Sequence, residues 1–128
     1  WDRKTGGEVA IHQSTVDQLA HPYVRSQDTG NRTDVRWMTF QDTEQLGLKI
    51  RADKPISMSA LPYTLQDLQQ ATHDYQLKRR SFNTVFIDWK LHGVGGDNSW
   101  GARTHKQYTL PANQPYTLHC WLTPMLSQ

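Results

Sequence analysis

The chain has 128 residues, with 14 lysines and arginines against 12 aspartates and glutamates, and a formal net charge of +2. That near-neutral balance, without a basic stripe, argues against a nucleic-acid surface, and no apolar run approaches the roughly 20 residues a membrane helix needs. The length fits one domain with its own core and a folded radius of gyration of about 14 Å.

In chain order, residues 1–20 read as an irregular lead-in: Gly6 and Gly7 break it, and short structure is expected only around Val9 to His12. The opening Trp1-Asp2-Arg3 carries no initiator Met and no signal-like segment, so the chain reads as a piece of a longer one. His21 before Pro22 is pushed to extended geometry, and residues 27–31 have turn composition. Asn31-Arg32-Thr33 fits a glycosylation acceptor, a pattern too short and common to weigh.

Residues 34–42 alternate, with Val35 and Trp37 on one face and Met38 and Phe40 on the other. Residues 47–52 alternate again after a polar turn, which predicts a hairpin. Ile56, Met58 and Ala60 predict a third strand, set off by Lys54-Pro55. The spacing then predicts a helix over 64–71. Thr64 is its cap, Asp67 sits in capping-box position, and Leu65, Leu68 and Ala71 or Thr72 share a face.

Lys78-Arg79-Arg80 reads as a solvated boundary. Residues 83–92 make the strongest alternating run, and 106–110 and 116–123 predict two further strands. The lone Cys120 excludes an internal disulfide, leaves the compartment open and reads as a buried, inert thiol. Short strands at regular spacing, with Pro/Gly/Asn turns and one short helix, predict an all-β fold, an antiparallel β-sandwich.

Between two of these strands lies Gly93-Val94-Gly95-Gly96-Asp97-Asn98-Ser99-Trp100-Gly101. Four glycines in nine residues let the backbone turn where other residues cannot follow. A tryptophan at the end of such a loop is oddly placed, since leaving it wet forgoes roughly 1.5–3 kcal/mol of burial. Either the loop folds back and Trp100 is core, or the ring is presented outward. The habits of tryptophan favour the first.

Little else carries chemistry. The six histidines include no pair at i, i+4 spacing, and no cysteine pattern accompanies them, so no metal site is expected. The glycine loop lacks the Lys-Ser/Thr ending and following helix of a phosphate cradle. Asp88 and Asp97 flank it, but the retaining glycosidase pair they would form is outweighed by simpler readings: a polar strand face for Asp88, and a turn bond for Asp97. No nucleophile elbow is present.

Taken together, Asp88-Trp89 followed by Gly93-Val94-Gly95-Gly96-Asp97-Asn98-Ser99-Trp100 resembles the last glycine-rich loop of the large β-galactosidases of glycoside hydrolase family 2. Pro22-Tyr23-Val24, Gly30-Asn31, Thr33-Asp34-Val35-Arg36-Trp37 and Pro62-Tyr63-Thr64 are similar to earlier parts of that family's C-terminal β-sandwich. The resemblance covers residues 1–123. It implies a galactose-mutarotase-like supersandwich, with 1–20 leading in from a preceding domain and 21–128 forming the C-terminal domain.

It further implies a non-catalytic part of an enzyme that hydrolyses β-galactosides such as lactose. The catalytic glutamates, and the magnesium and sodium ions, would belong to a separate barrel domain of the same chain, so neither catalytic residue, cofactor nor metal is expected here. The only glutamates present are Glu8 and Glu44. Trp100 would stand outward as an apolar wall for the aglycone sugar, the glucose of lactose, with Gly93, Gly95, Gly96, Asp97, Asn98 and Ser99 supporting it. The resemblance thus reverses the core reading of Trp100. It also implies an oligomeric bacterial enzyme, of the cytoplasm or periplasm, with no nucleic-acid or membrane partner. Two other readings stand beside it: a free-standing carbohydrate-binding module, and a purely structural or subunit-packing domain.

Overall fold

The structure, a computed structural model, describes residues 9–20, 29–98 and 100–126. The expected extension at 21–24, the first two residues of the turn at 27–31, and Ser99 lie outside them. The chain divides into two compact units, Trp1–Val35 with Ile56–Ile87 and Arg36–Pro55 with Asp88–Gln128. Its strands are β1 (Arg32–Gln41), β2 (Gly47–Leu61), β3 (Thr84–Asp88) and β4 (Cys120–Met125), in one sheet of order β1–β2–β3, with β4 also pairing β2. Helices are short, as the all-β expectation requires.

In the first unit, a one-turn helix α1 (Val16–Leu19) interrupts the expected irregular lead-in, while the Val9–His12 stretch has no regular structure. Thr15 caps α1 in a capping box: its hydroxyl accepts from the Gln18 backbone N–H at 3.3 Å, and Gln18 Oε1 accepts from the Thr15 N–H at 2.9 Å. Gly30, at φ 71°, passes close to the end of α1, and a Cβ there would meet Leu19 O at 3.2 Å.

The core of this unit is the second half of β2. Ile56 through Leu61 are all buried, Ser57 and Ser59 included, so alternation gives way to burial on both faces. Among the described residues no buried side-chain polar atom lacks a partner.

Helix α2 (Leu65–Gln70) forms where the capping box predicts it. The Asp67 N–H donates to Thr64 Oγ1 at 3.0 Å, and Asp67 Oδ2 accepts from the Thr64 N–H at 2.9 Å. Leu68 and Ala71 are buried, but Leu65, expected on their face, is exposed. The Lys78-Arg79-Arg80 cluster does more than mark a boundary. Arg79 pairs with Asp17 on α1, and Arg80 donates to both oxygens of Asp67 at 2.5 and 3.0 Å. That guanidinium, followed by the Thr64 backbone and hydroxyl, holds the Asp67 carboxyl well below the usual carboxylate range.

In the second unit, residues 42–46 turn β1 into β2. Asp42 Oδ1 accepts from the N–H groups of Glu44 (2.8 Å) and Leu46 (3.0 Å), and Gln45 takes the left-handed conformation at φ 66°. Gly47 starts β2 because a Cβ there would lie 1.9 Å from Phe40 O. β4 runs antiparallel to β2, from Ala52 opposite Cys120 to Gly47 opposite Met125.

Four strand expectations change across the two units. Residues 47–52 and 56–60 are one fifteen-residue strand, not two. Pro55 is tolerated because it lies past the last β4 pair, where no donor is asked of it on that side. Residues 106–110 give a 3-10 turn at Lys106–Tyr108 rather than a strand. The last strand starts at Cys120 instead of 116 and carries Pro124 within it. The strand expected over 83–92 is also shorter, ending at Asp88. Cys120 is a free, half-buried thiol.

Candidate functional site: the Trp100 loop

The chain entering the loop is pinned by Trp89. Its ring lies 5.2 Å from that of Tyr116, tilted by 50°, and Lys54 Nζ sits 4.4 Å from its centroid while donating to Thr117 O at 2.9 Å. Tyr116 is itself held, its hydroxyl donating to Pro111 O at 2.8 Å. An aromatic ring between a cation and a second ring gives the loop a fixed point of departure.

From there the loop is closed by bonds across its base. The Gly93 N–H donates to Tyr108 O (2.8 Å), the Thr104 hydroxyl to Gly93 O (2.8 Å), and the Gly96 N–H to Ala102 O (3.0 Å). Such close crossing explains two of the glycines. A Cβ on Gly93 would fall 2.7 Å from Thr104 Cγ2, and one on Gly96 would fall 2.6 Å from Arg103 O. A Cβ on Gly95 would meet nothing within 4 Å.

At the tip, Asn98 Oδ1 accepts from the N–H of Trp100 (2.9 Å) and of Ala102 (3.3 Å). The turn bond that the sequence suggests for Asp97 is therefore made by Asn98. Asp97 instead turns both carboxylate oxygens to His105 Nε2, each at 2.9 Å. Gly101, directly after the tryptophan, has φ 104°, a conformation L side chains rarely adopt.

The result is an indole in the open. Trp100 is 90% exposed, and Val94 beside the loop is fully exposed. Among the described residues no ring or cation packs on Trp100; what places it is backbone. Sequence reasoning counted Gly101 among the glycines that let the loop turn without giving it a role beside the tryptophan, and it missed His105. Gly101 carried a signal, being a glycine adjoining the key side chain. His105 did not, because nothing local marks a partner eight residues away.

Among the described residues no three histidine, cysteine, aspartate or glutamate side chains converge to hold a metal ion. Of the two glutamates, Glu44 is exposed in the β1–β2 turn and Glu8 lies outside the described residues. In this unit the Asp53 carboxyl is held below its ordinary pKa, chiefly by its bond from the His119 ring at 3.1 Å. An acid with lowered pKa is poorly suited to protonate a leaving group near neutral pH.

Comparison with known proteins gives this exposed ring a setting. The family described as β-galactosidase small chain matches residues 1–122. The chain belongs to that family. A β-galactosidase of Priestia megaterium is 42% identical over 98% of the chain, which spans only 12% of that protein. A β-galactosidase of Lactobacillus delbrueckii subsp. bulgaricus is 36% identical over 98% of the chain, again 12% of its own length. A β-galactosidase small subunit of Latilactobacillus sakei is 30% identical over 88% of the chain, and here the chain spans 39% of the relative. This β-galactosidase small-chain domain thus matches a minor part of each of these relatives, and the Gly93–Trp100 loop lies inside the matched span.

Proposed function

We propose that this chain is a non-catalytic C-terminal domain of a family 2 β-galactosidase, and that Trp100 forms one wall of the subsite for the aglycone sugar. The enzyme it serves removes terminal, non-reducing β-D-galactose from β-galactosides such as lactose. Its acids and its magnesium and sodium ions belong to a barrel domain outside this chain. The observation that carries the reading is the exposed indole, held out by a loop that is bonded mainly through its backbone.

The chemistry suits a sugar. A pyranose has one face of C–H groups, and a flat, rigid indole offers matching apolar area at low conformational cost. A loop braced on a sheet is the usual carrier of such a contact. One wall is not a pocket, so the domain by itself holds no sugar tightly and breaks no glycosidic bond.

An assay of aryl-galactoside cleavage, run on the chain alone and on the enzyme containing it, tests this reading. Activity is expected only in the enzyme, and tryptophan fluorescence of the chain alone is expected to stay flat when galactosides are titrated in. A saturating fluorescence change at low millimolar galactoside would make the domain a carbohydrate-binding module instead.

A further inference from the structure

We infer that His105 is the positioning residue of the Trp100 loop, acting through Asp97. The inference rests on the reading of Trp100 as a sugar-facing wall for its purpose, but its mechanics stand on the loop alone. Backbone bonds close the base at Gly93–Tyr108 and the middle at Gly96–Ala102, and the Asn98 carboxamide gathers the tip. These bonds shape the loop. The Asn98–Ala102 bond ties the tip to the outgoing segment only where that segment begins, and none of these bonds ties the tip to the stretch beside the 3-10 turn.

The Asp97–His105 pair does. Asp97 immediately precedes Asn98, so the order of connection runs from His105 to Asp97, to Asn98, to the Trp100 backbone N–H. His105 is itself anchored: it precedes the 3-10 turn Lys106–Tyr108, its carbonyl accepts from the Tyr108 N–H at 2.9 Å, and the Tyr108 carbonyl takes the Gly93 N–H. The pair thus joins the tip that presents the indole to the start of the 3-10 turn, beyond the reach of the Thr104–Gly93 and Asn98–Ala102 bonds. Because the Trp100 ring has no packing partner among the described residues, the backbone alone fixes where the indole starts and the direction of its Cα–Cβ bond.

The bonding nitrogen matters. Nε2 faces a carboxylate, so it carries the proton, in the neutral Nε2–H tautomer as in the imidazolium. The bond therefore requires an N–H at the ε position, and glutamine supplies one at similar reach. An exposed pair of this kind contributes little to global stability, which leaves its effect on the loop readable without unfolding the chain.

The test is ¹⁵N relaxation on the full 128-residue chain, with the Trp100 resonances assigned by their loss in Trp100→Phe. In the native chain the backbone of residues 97, 98, 100 and 101 is expected at an order parameter of about 0.85, falling below about 0.6 in His105→Ala and Asp97→Ala. His105→Gln restores the native value. Unchanged order in His105→Ala overturns the inference, as does a His105→Gln chain as loose as His105→Ala. Within the parent enzyme, His105→Ala is expected to raise the acceptor KM for glucose by about fivefold. If Trp100→Ala leaves acceptor KM untouched while the relaxation result holds, the sugar reading fails and the positioning role of His105 stands.

Discussion

Trp100 is placed by its backbone, so its neighbours in sequence count for more than its neighbours in space. Gly101 at φ 104° is where that dependence is sharpest. Gly101→Ala forces an L residue into a disfavoured region, at a cost of roughly 1–2 kcal/mol, or shifts the loop to escape it. Gly95→Ala adds a methyl group into open space. Acceptor kinetics in the parent enzyme should separate the two: a loss for Gly101→Ala and near-native values for Gly95→Ala. The glycine-rich composition made a turning loop legible from sequence. Which glycines are needed was not legible, because close approach at Gly93 and Gly96 comes from residues 102–108, whose fold the local pattern did not reveal.

At the scale of elements, local chemistry was read well and pairing was not. Helix α2 was legible because Thr64 and Asp67 lie three residues apart and cap it without help. β2 was read as two strands because Pro55 looks like a break when the end of the β4 ladder is unknown. Residues 106–110 alternate like a strand, yet the Gly93–Tyr108 bond and the turn at His105 claim their backbone instead.

Two measurements belong at this scale. Gln45 occupies a left-handed turn position that glycine fills without strain, so Gln45→Gly should raise the free energy of unfolding by about 1 kcal/mol in urea titration. The second concerns acid. Arg80 and Thr64 depress the Asp67 pKa below its ordinary 3.8, so the folded state binds fewer protons than the unfolded one. The stability from this pair is present above the unfolded value and is lost as pH falls below it towards the folded value. Urea midpoints should decline from about pH 4 downward, and Asp67→Asn should flatten that decline.

Among the described residues seven apolar side chains are buried, whereas fifteen large apolar ones are exposed, including Trp37, Leu91, Trp121 and Leu122. Were these side chains to form contiguous patches, they would mark a contact with other protein. The chain alone is then expected to bind anilinonaphthalene sulfonate in its folded state and to gain sedimentation mass as concentration rises through the micromolar range. A dye-silent monomer throughout would show the surface to be self-sufficient. Composition hinted at none of this, since apolar content says how much there is to bury and not how much is buried. The family was legible because the Gly-Gly-Asp-x-Ser-Trp run is short, ordered and chemically unusual, whereas the apolar strands around it are interchangeable among β folds.

The central claim is that the Trp100 indole meets the sugar on the leaving side of the bond and not the galactose. The direct measurement is the partition of the galactosyl group between water and added glucose, in a β-galactosidase bearing this domain, with Trp100 intact and as Trp100→Ala. The account predicts roughly tenfold weaker capture by glucose, a difference of about 1.4 kcal/mol, with the affinity for a galactose-only inhibitor unchanged. Equal loss on the two sides, or loss confined to galactose, would contradict it.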